Sequence, residues 1–294
     1  MPQQPVPQQP VPQQPVSQQN APFSDVADVY DQLSDFFAEV LGGSIHLGYW
    51  DEDAVPGVDA MAAASERLTG IMIDRIEVGP GQRVLDVGCG TGQPAVRLAE
   101  DRGVEVVGIT VSAEQVAAAT RLGRERGLGD RLSFLLADAA ALPFPADSFD
   151  AAWLFESPPH LPDRVRVLRE VARVVRPGGL VALTDFVQLA PMTAHERGAA
   201  AEVMASFHLG GFCPLAEYPD LVRRAGLAPV EVADISANTI RADDAFVEAF
   251  LPALRAKAAE FGDLGTAAVD TIAAVTEQLN DLTAIGYALV VARA

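Results

Sequence analysis

The amino-acid sequence predicts an α/β fold: a doubly wound, mostly parallel sheet with an antiparallel last strand, N-terminal helices and a helical lid insertion. Short apolar runs alternate with helical patterns between Arg83 and Leu189, as parallel strands joined by crossover helices require. A glycine-rich turn, Gly88-Cys89-Gly90-Thr91-Gly92, follows the first apolar run and opens the first crossover helix. The chain has 294 residues, 49% of them hydrophobic, enough for one large core with additions.

In chain order, a five-residue unit, Pro-Gln-Gln-Pro-Val, comes first and occurs three times between Pro2 and Val16. It has neither charge nor a core-forming pattern, so residues 1–22 are expected to be a disordered tail. Residues 23–77 are expected to form N-terminal helices and a segment that covers a cofactor and substrate. Over 23–41, Val26, Val29, Tyr30, Leu33, Phe36, Phe37 and Val40 recur at helical spacing, and Gly42-Gly43 ends the pattern. The run Ile45-His46-Leu47-Gly48-Tyr49-Trp50 reads as an aromatic loop, and a second helix is expected over 58–76. In the core, residues 78–190, strands are expected over 83–87, 104–109, 132–136, 149–155 and 180–189. Ser112, followed three residues later by Gln115, reads as a capping box. A helix over 163–175 stops at Pro177-Gly178-Gly179. Residues 191–294 supply lid helices over 215–225, 243–261 and 267–282, then a last strand over 287–292.

Composition excludes several classes. Lys and Arg total 21 against 40 Asp and Glu, a formal charge of −19, which repels phosphate backbones and anionic membranes. Nucleic acid and membrane are therefore not expected as partners. No apolar run approaches the roughly 20 residues of a membrane span, and the N-terminus has no signal pattern. Cys89 and Cys213 are too few for a disulfide framework and lack zinc-like spacing. A cytoplasmic protein is expected, and no metal site, since the spacing of Asp163 and Asp185 demands none.

The glycine turn is where a ligand belongs. Gly88, Gly90 and Gly92 can take positive φ and bring main-chain N–H groups close to a bound molecule at the mouth of a helix. A dinucleotide fingerprint would need glycine or alanine where Gln93 stands. The run Leu85-Asp86-Val87-Gly88-Cys89-Gly90-Thr91-Gly92 instead resembles the first motif of class I S-adenosylmethionine-dependent methyltransferases. Asp138-Ala139, Leu142-Pro143-Phe144-Pro145, Ser148-Phe149-Asp150 and Arg176-Pro177-Gly178-Gly179 are similar to later landmarks of that family. Gly43-x-x-His46-x-Gly48-Tyr49-Trp50, Gly108-Ile109-Thr110-Val111-Ser112 and Gly286-Tyr287-Ala288-Leu289 resemble its bacterial natural-product group. That group includes sugar O-methyltransferases of the rebeccamycin type, a teleocidin C-methyltransferase and a spinosyn methyltransferase-like cyclase, so scaffold alone does not settle reaction.

The resemblance implies S-adenosylmethionine as cofactor. It implies contacts at Asp86, Gly88, Cys89, Gly90, Gln93, Thr110, Val111, Ser112, Gln115, Asp138, Ala139 and Phe155. Thr110 stands where the family commonly has an acid for the ribose, a role then shared with Gln115. His160 and Asp185 are the expected catalytic pair, with Pro159 in place of a neighbouring histidine of the sugar enzymes. Tyr30, Tyr49, Trp50, Phe186, Phe207 and Phe212 are expected to contact substrate, with core packing as the competing role for each. The expected function is O-methylation of a hydrophobic secondary metabolite or C-methylation of an alkene chain, whose cationic intermediate aromatic faces accommodate. A cyclase that binds the cofactor without consuming it and a non-catalytic binding subunit are the alternatives. A homo-oligomer with a swapped N-terminal helix is a further implication of the resemblance.

Overall fold

The computed structural model describes residues 46–51, 58–206, 208–240 and 282–294, together with 252, 254–256, 259 and 269. The repeat tail, the helix expected over 23–41 with Tyr30, and Phe207 lie outside the described residues; the helices expected over 243–261 and 267–282 lie almost entirely outside them.

The described elements run in the order α1 (Val58–Arg75), β1 (Arg83–Val87), α2 (Gln93–Arg102), β2 (Glu105–Thr110), α3 (Ala113–Glu125), β3 (Leu132–Leu136), β4 (Phe149–Leu154), α4 (Arg164–Val174), β5 (Val175–Gln188), α5 (Ala194–Ser206), β6 (Cys213–Pro214), α6 (Tyr218–Arg224), β7 (Ala228–Asp234), α7 (Ser236–Thr239) and β8 (Ile285–Arg293). One sheet has the order β3-β2-β1-β4-β5-β8-β7, with the short β6 paired to β5. Strands β1 to β5 are parallel, and β8 runs antiparallel between β5 and β7. The strand order reverses between β1 and β4, and ligands of open α/β sheets bind at such a switch point, beyond the carboxyl ends of the strands.

The sheet separates two apolar layers. Leu85, Val87, Val107 and Ile109 face α4 and α6 through Leu168, Val171, Leu221 and Val222. Val84, Val106 and Trp153 face α1 and α2 through Leu68, Met72, Ala95 and Leu98. Strand β1, inside the sheet, is buried from Val84 to Val87, whereas the edge strand β3 alternates, with Leu132 and Phe134 buried and Ser133 exposed.

Three differences from expectation have local causes. Strand β5 begins at Val175, not 180, because Pro177-Gly178-Gly179 forms an irregularity within the strand, with a register shift opposite Phe149 and Ala151. Ser112 Oγ does accept the Gln115 N–H at 3.0 Å, but the Gln115 side chain accepts from Thr110 Oγ1 at 2.6 Å, leaving half a capping box. Strand β7 had no expected range: it is a partly exposed edge strand interrupted by a register shift, with Val230 55% exposed at the irregularity and Val232 packed on the core.

Candidate active site

Asp86 is the next-to-last residue of β1, within its buried part. It is 1% exposed, and its Oδ2 has no hydrogen-bond partner among the described residues. Burial pushes its carboxyl up to about 7. The Trp153 indole, Cα partner of Asp86 on β4, opposes part of that rise, although by geometry the indole N–H completes no hydrogen bond. A buried carboxylate with an empty acceptor oxygen suits a cation, because a charge removed from water without a partner is costly.

The turn that follows has φ of 79° at Gly88, 52° at Gly90 and 87° at Gly92, the left-handed conformations the sequence required. Two of the main-chain N–H groups expected to face a ligand do not. The N–H groups of Gly88 and Cys89 both donate to the Ile109 carbonyl, at 2.8 and 3.0 Å, and are committed to the sheet. Cys89 turns its side chain under β2, where a Cβ at Gly108 would approach its own at 2.8 Å, and burial raises its thiol well above the ordinary range. It is a core residue. Gly88 itself is exposed, and Gln93 is half-buried at the start of α2.

At the end of β2, Thr110 and Gln115 are each 7% exposed and hydrogen-bonded to one another, while the Ser112 N–H donates to Thr110 Oγ1 at 3.2 Å. This cluster is neutral where an acid is common in the resembling family. Val111 beside it is an exposed apolar side chain. Asp138 is exposed beyond β3, one oxygen accepting the Ala140 N–H at 2.8 Å, with Ala139 half-buried next to it.

Across the switch point, β4 leads into Phe155-Glu156-Ser157. Glu156 was not singled out from sequence, yet its carboxyl is held in a defined position at this turn. Its φ is 51°, a left-handed conformation that non-glycine residues rarely adopt and that marks functional positions. Oε1 accepts the Tyr287 hydroxyl at 2.5 Å and the Leu47 N–H at 2.7 Å. Burial pushes its carboxyl up to about 7, with both donors opposing. The Phe155 ring, expected at the cofactor, stacks on His46 with centroids 3.9 Å apart.

The expected His160 and Asp185 partnership is revised by the environment of Asp185. Asp185 is 0% exposed, and its oxygens accept from Arg164 Nε at 2.7 Å, Arg164 Nη2 at 3.3 Å and the Tyr218 hydroxyl. Arg164 Nη2 also donates to the Gly211 carbonyl at 2.7 Å. A carboxylate so engaged is committed by geometry to the guanidinium and the phenol. His160 lies half-buried in the 3-10 turn Pro158–His160, in the same connection as Glu156.

Of the expected substrate contacts, Trp50 is a packing residue. It is 3% exposed, its N–H donates to the Asn238 carbonyl at 2.7 Å, and its carbonyl accepts from Asn238 Nδ2 at 2.9 Å. Tyr49 is half-buried against the layer around α1. Phe186 and Phe212 come together with Met192 and Leu209 in an apolar wall over α5, and Phe186 meets Tyr287 edge to face.

A methyltransferase-domain family model matches residues 85–183, the segment from β1 through most of β5. Over 235 residues the chain is 41% identical to the methyltransferase GfsG of Streptomyces halstedii, covering 77% of this chain and 81% of that protein. The chain belongs to the class I S-adenosylmethionine-dependent methyltransferases. Within that family it is 37% identical over 216 residues to the 27-O-demethylrifamycin SV methyltransferase of Amycolatopsis mediterranei, covering 74% of this chain and 78% of that one. It also resembles the crystal structure of the [4+2]-cyclase SpnF, with a TM-score of 0.72, 32% identity, and coverage of 91% and 95%. This methyltransferase uses S-adenosylmethionine as its cofactor, and no helix among the described residues is long and apolar enough to cross a membrane.

Proposed function

We propose that this methyltransferase O-methylates a hydrophobic small-molecule secondary metabolite, with Glu156 as the base that takes the hydroxyl proton. The observation that carries the reading is the buried carboxyl of Glu156, raised to about 7, at the carboxyl end of β4 beside the glycine turn. A base poised near the working pH is matched to a hydroxyl acceptor.

Bound S-adenosylmethionine supplies a methyl group activated on a sulfonium. The residues present fit that group. Asp86 offers a buried anion for its ammonium end, and Gly88 and Gly90 leave the turn without Cβ atoms at that end. Thr110, Ser112 and Gln115 offer hydroxyl and amide groups for the ribose, while Val111 gives an apolar surface for the base, with Asp138 and Ala139 at its edge. Phe186 and Phe212 line the acceptor side, which suits an apolar substrate. His160 borders the acceptor from the same connection as Glu156, and Asp185 fixes Arg164. The chain's part is to align the acceptor, exclude water and receive the proton on Glu156. The O-methyltransferase relationship to the rifamycin enzyme supports a hydroxyl acceptor.

The test is mass spectrometry of the purified protein with S-adenosylmethionine and secondary-metabolite extracts. S-adenosylhomocysteine and a product heavier by one methylene on oxygen are expected, and Glu156→Gln should lose about 100-fold or more in turnover. A methyl group found on carbon would replace the acceptor with an alkene. A product of unchanged mass without S-adenosylhomocysteine would overturn the reading in favour of cyclisation.

A further inference from the structure

Glu156 and its two donors come from three distant parts of the chain, with 109 residues separating Leu47 from Glu156 and 131 separating Glu156 from Tyr287. We propose that Tyr287 is a positioning residue for Glu156: its hydroxyl and the Leu47 N–H together hold Oε1, so that Oε2 is the oxygen presented to the acceptor. The proposal rests on Glu156 being the base.

Each donor is itself fixed. Tyr287 is 0% exposed on β8; its N–H donates to Ser236 Oγ at 2.9 Å and its carbonyl accepts the Ile235 N–H at 2.9 Å. Its ring meets Phe186, its Cα partner on β5, edge to face at 5.2 Å. Leu47 sits in a strap, residues 46–51, pinned at both ends. The His46 ring lies on Phe155 and bonds Thr69 Oγ1 at 3.1 Å, while the Trp50 N–H reaches Asn238. Between them Gly48 passes so close to α1 that a Cβ would stand 2.5 Å from that of Ala64. On its other side Glu156 is anchored by its own N–H, which donates to Thr184 Oγ1 at 3.0 Å. An oxygen accepting two short bonds is saturated, which directs further proton chemistry to its twin.

Tyr287 from β8 is the titratable side chain that bonds the Glu156 carboxyl, and Asp185 from β5 acts in turn on that tyrosine. Donation from Tyr287 favours the charged carboxylate, so removing it must raise the Glu156 midpoint. A residue that merely packs would leave the midpoint in place.

The experiment follows the Glu156 carboxyl directly, by carbon-13 NMR titration of the full-length protein labelled at glutamate carboxyls, the signal being assigned by its loss in Glu156→Gln. No methyl acceptor is needed. A midpoint near 7 is expected in the parent protein, raised by about one pH unit in Tyr287→Phe. Replacing Tyr287 with 3-fluorotyrosine, a stronger donor of nearly the same shape, should lower it, and this variant decides the matter if Tyr287→Phe does not fold. Coincident midpoints would overturn the positioning role. If Glu156→Gln loses turnover while the midpoint stays put, the base stands and the positioning role falls; if Glu156→Gln keeps turnover, both fall.

Discussion

Ser157 packs directly against Gly88: its Oγ donates to the Val87 carbonyl at 2.6 Å, and a Cβ on Gly88 would fall inside the Ser157 side chain. The connection carrying Glu156 and the turn following Asp86 are therefore one packed unit across the switch point. Gly88→Ala is expected to weaken S-adenosylmethionine binding at least 10-fold, because it adds both a clash and a side chain at φ 79°. Calorimetric titration with the cofactor measures this, and combining Gly88→Ala with Ser157→Gly, which removes the Cβ that the new methyl group meets, should recover part of the loss.

Asp86 makes the cofactor-free protein pH-sensitive in a definite direction. Its folded pKa of about 7 lies above the ordinary 3.8, so between those values the folded state holds a proton that the unfolded state has lost. Stability from this group is present below about pH 4 and is lost as pH rises through 7. The full rise corresponds to roughly 4 kcal/mol. Asp86→Asn should flatten this decline in thermal melts between pH 5 and 8. Its affinity for S-adenosylmethionine should fall at least 10-fold at pH 8, where the parent carboxylate is charged. Unchanged affinity would remove Asp86 from the cofactor site.

Arg164 and Asp185 form a buried pair that is costly to break on one side. Arg164→Met should destabilise the protein by about 3–5 kcal/mol, since it leaves an uncompensated carboxylate that is 0% exposed. Combining it with Asp185→Asn should restore most of that in urea unfolding. A restored double variant that also keeps turnover would show that Asp185 serves structure and not proton transfer.

His46 gives the strap a slope of the opposite sign. Burial lowers its pKa from 6.5 to about 4, with the Leu47 carbonyl opposing. The folded state therefore resists a proton that the unfolded state accepts, and stability falls as pH drops from about 6.5 toward 4. His46→Asn should remove that slope from the melting profile. It should also lower turnover at neutral pH, because the ring stacked on Phe155 no longer orders the Leu47 N–H.

Sequence determined the elements whose signal is local. Strands β1 and β3 were legible to the residue because each is a short, mostly apolar stretch preceded by a turn signal, Gly79-Pro80-Gly81 before β1 and Gly127-Leu128-Gly129-Asp130 before β3. The positive φ at Gly88, Gly90 and Gly92 followed from the absence of Cβ, and Asp86 was marked by its place before that turn. The neutral cluster of Thr110 and Gln115 was also visible, since both lie in one strand-to-helix connection.

Tertiary structure alone decided the partners of the buried charges. Nothing near Asp185 in the chain announces Arg164 or Tyr218, which reach it from α4 and α6. Glu156 sits in a proline-rich connection where His160 is the more conspicuous base, and it becomes notable only when β8 enters antiparallel between β5 and β7 and brings Tyr287 to its carboxylate. The reason is physical: a strand or a turn is set by a few neighbouring residues, whereas the protonation of a buried carboxyl depends on water excluded and donors supplied by segments more than a hundred residues away.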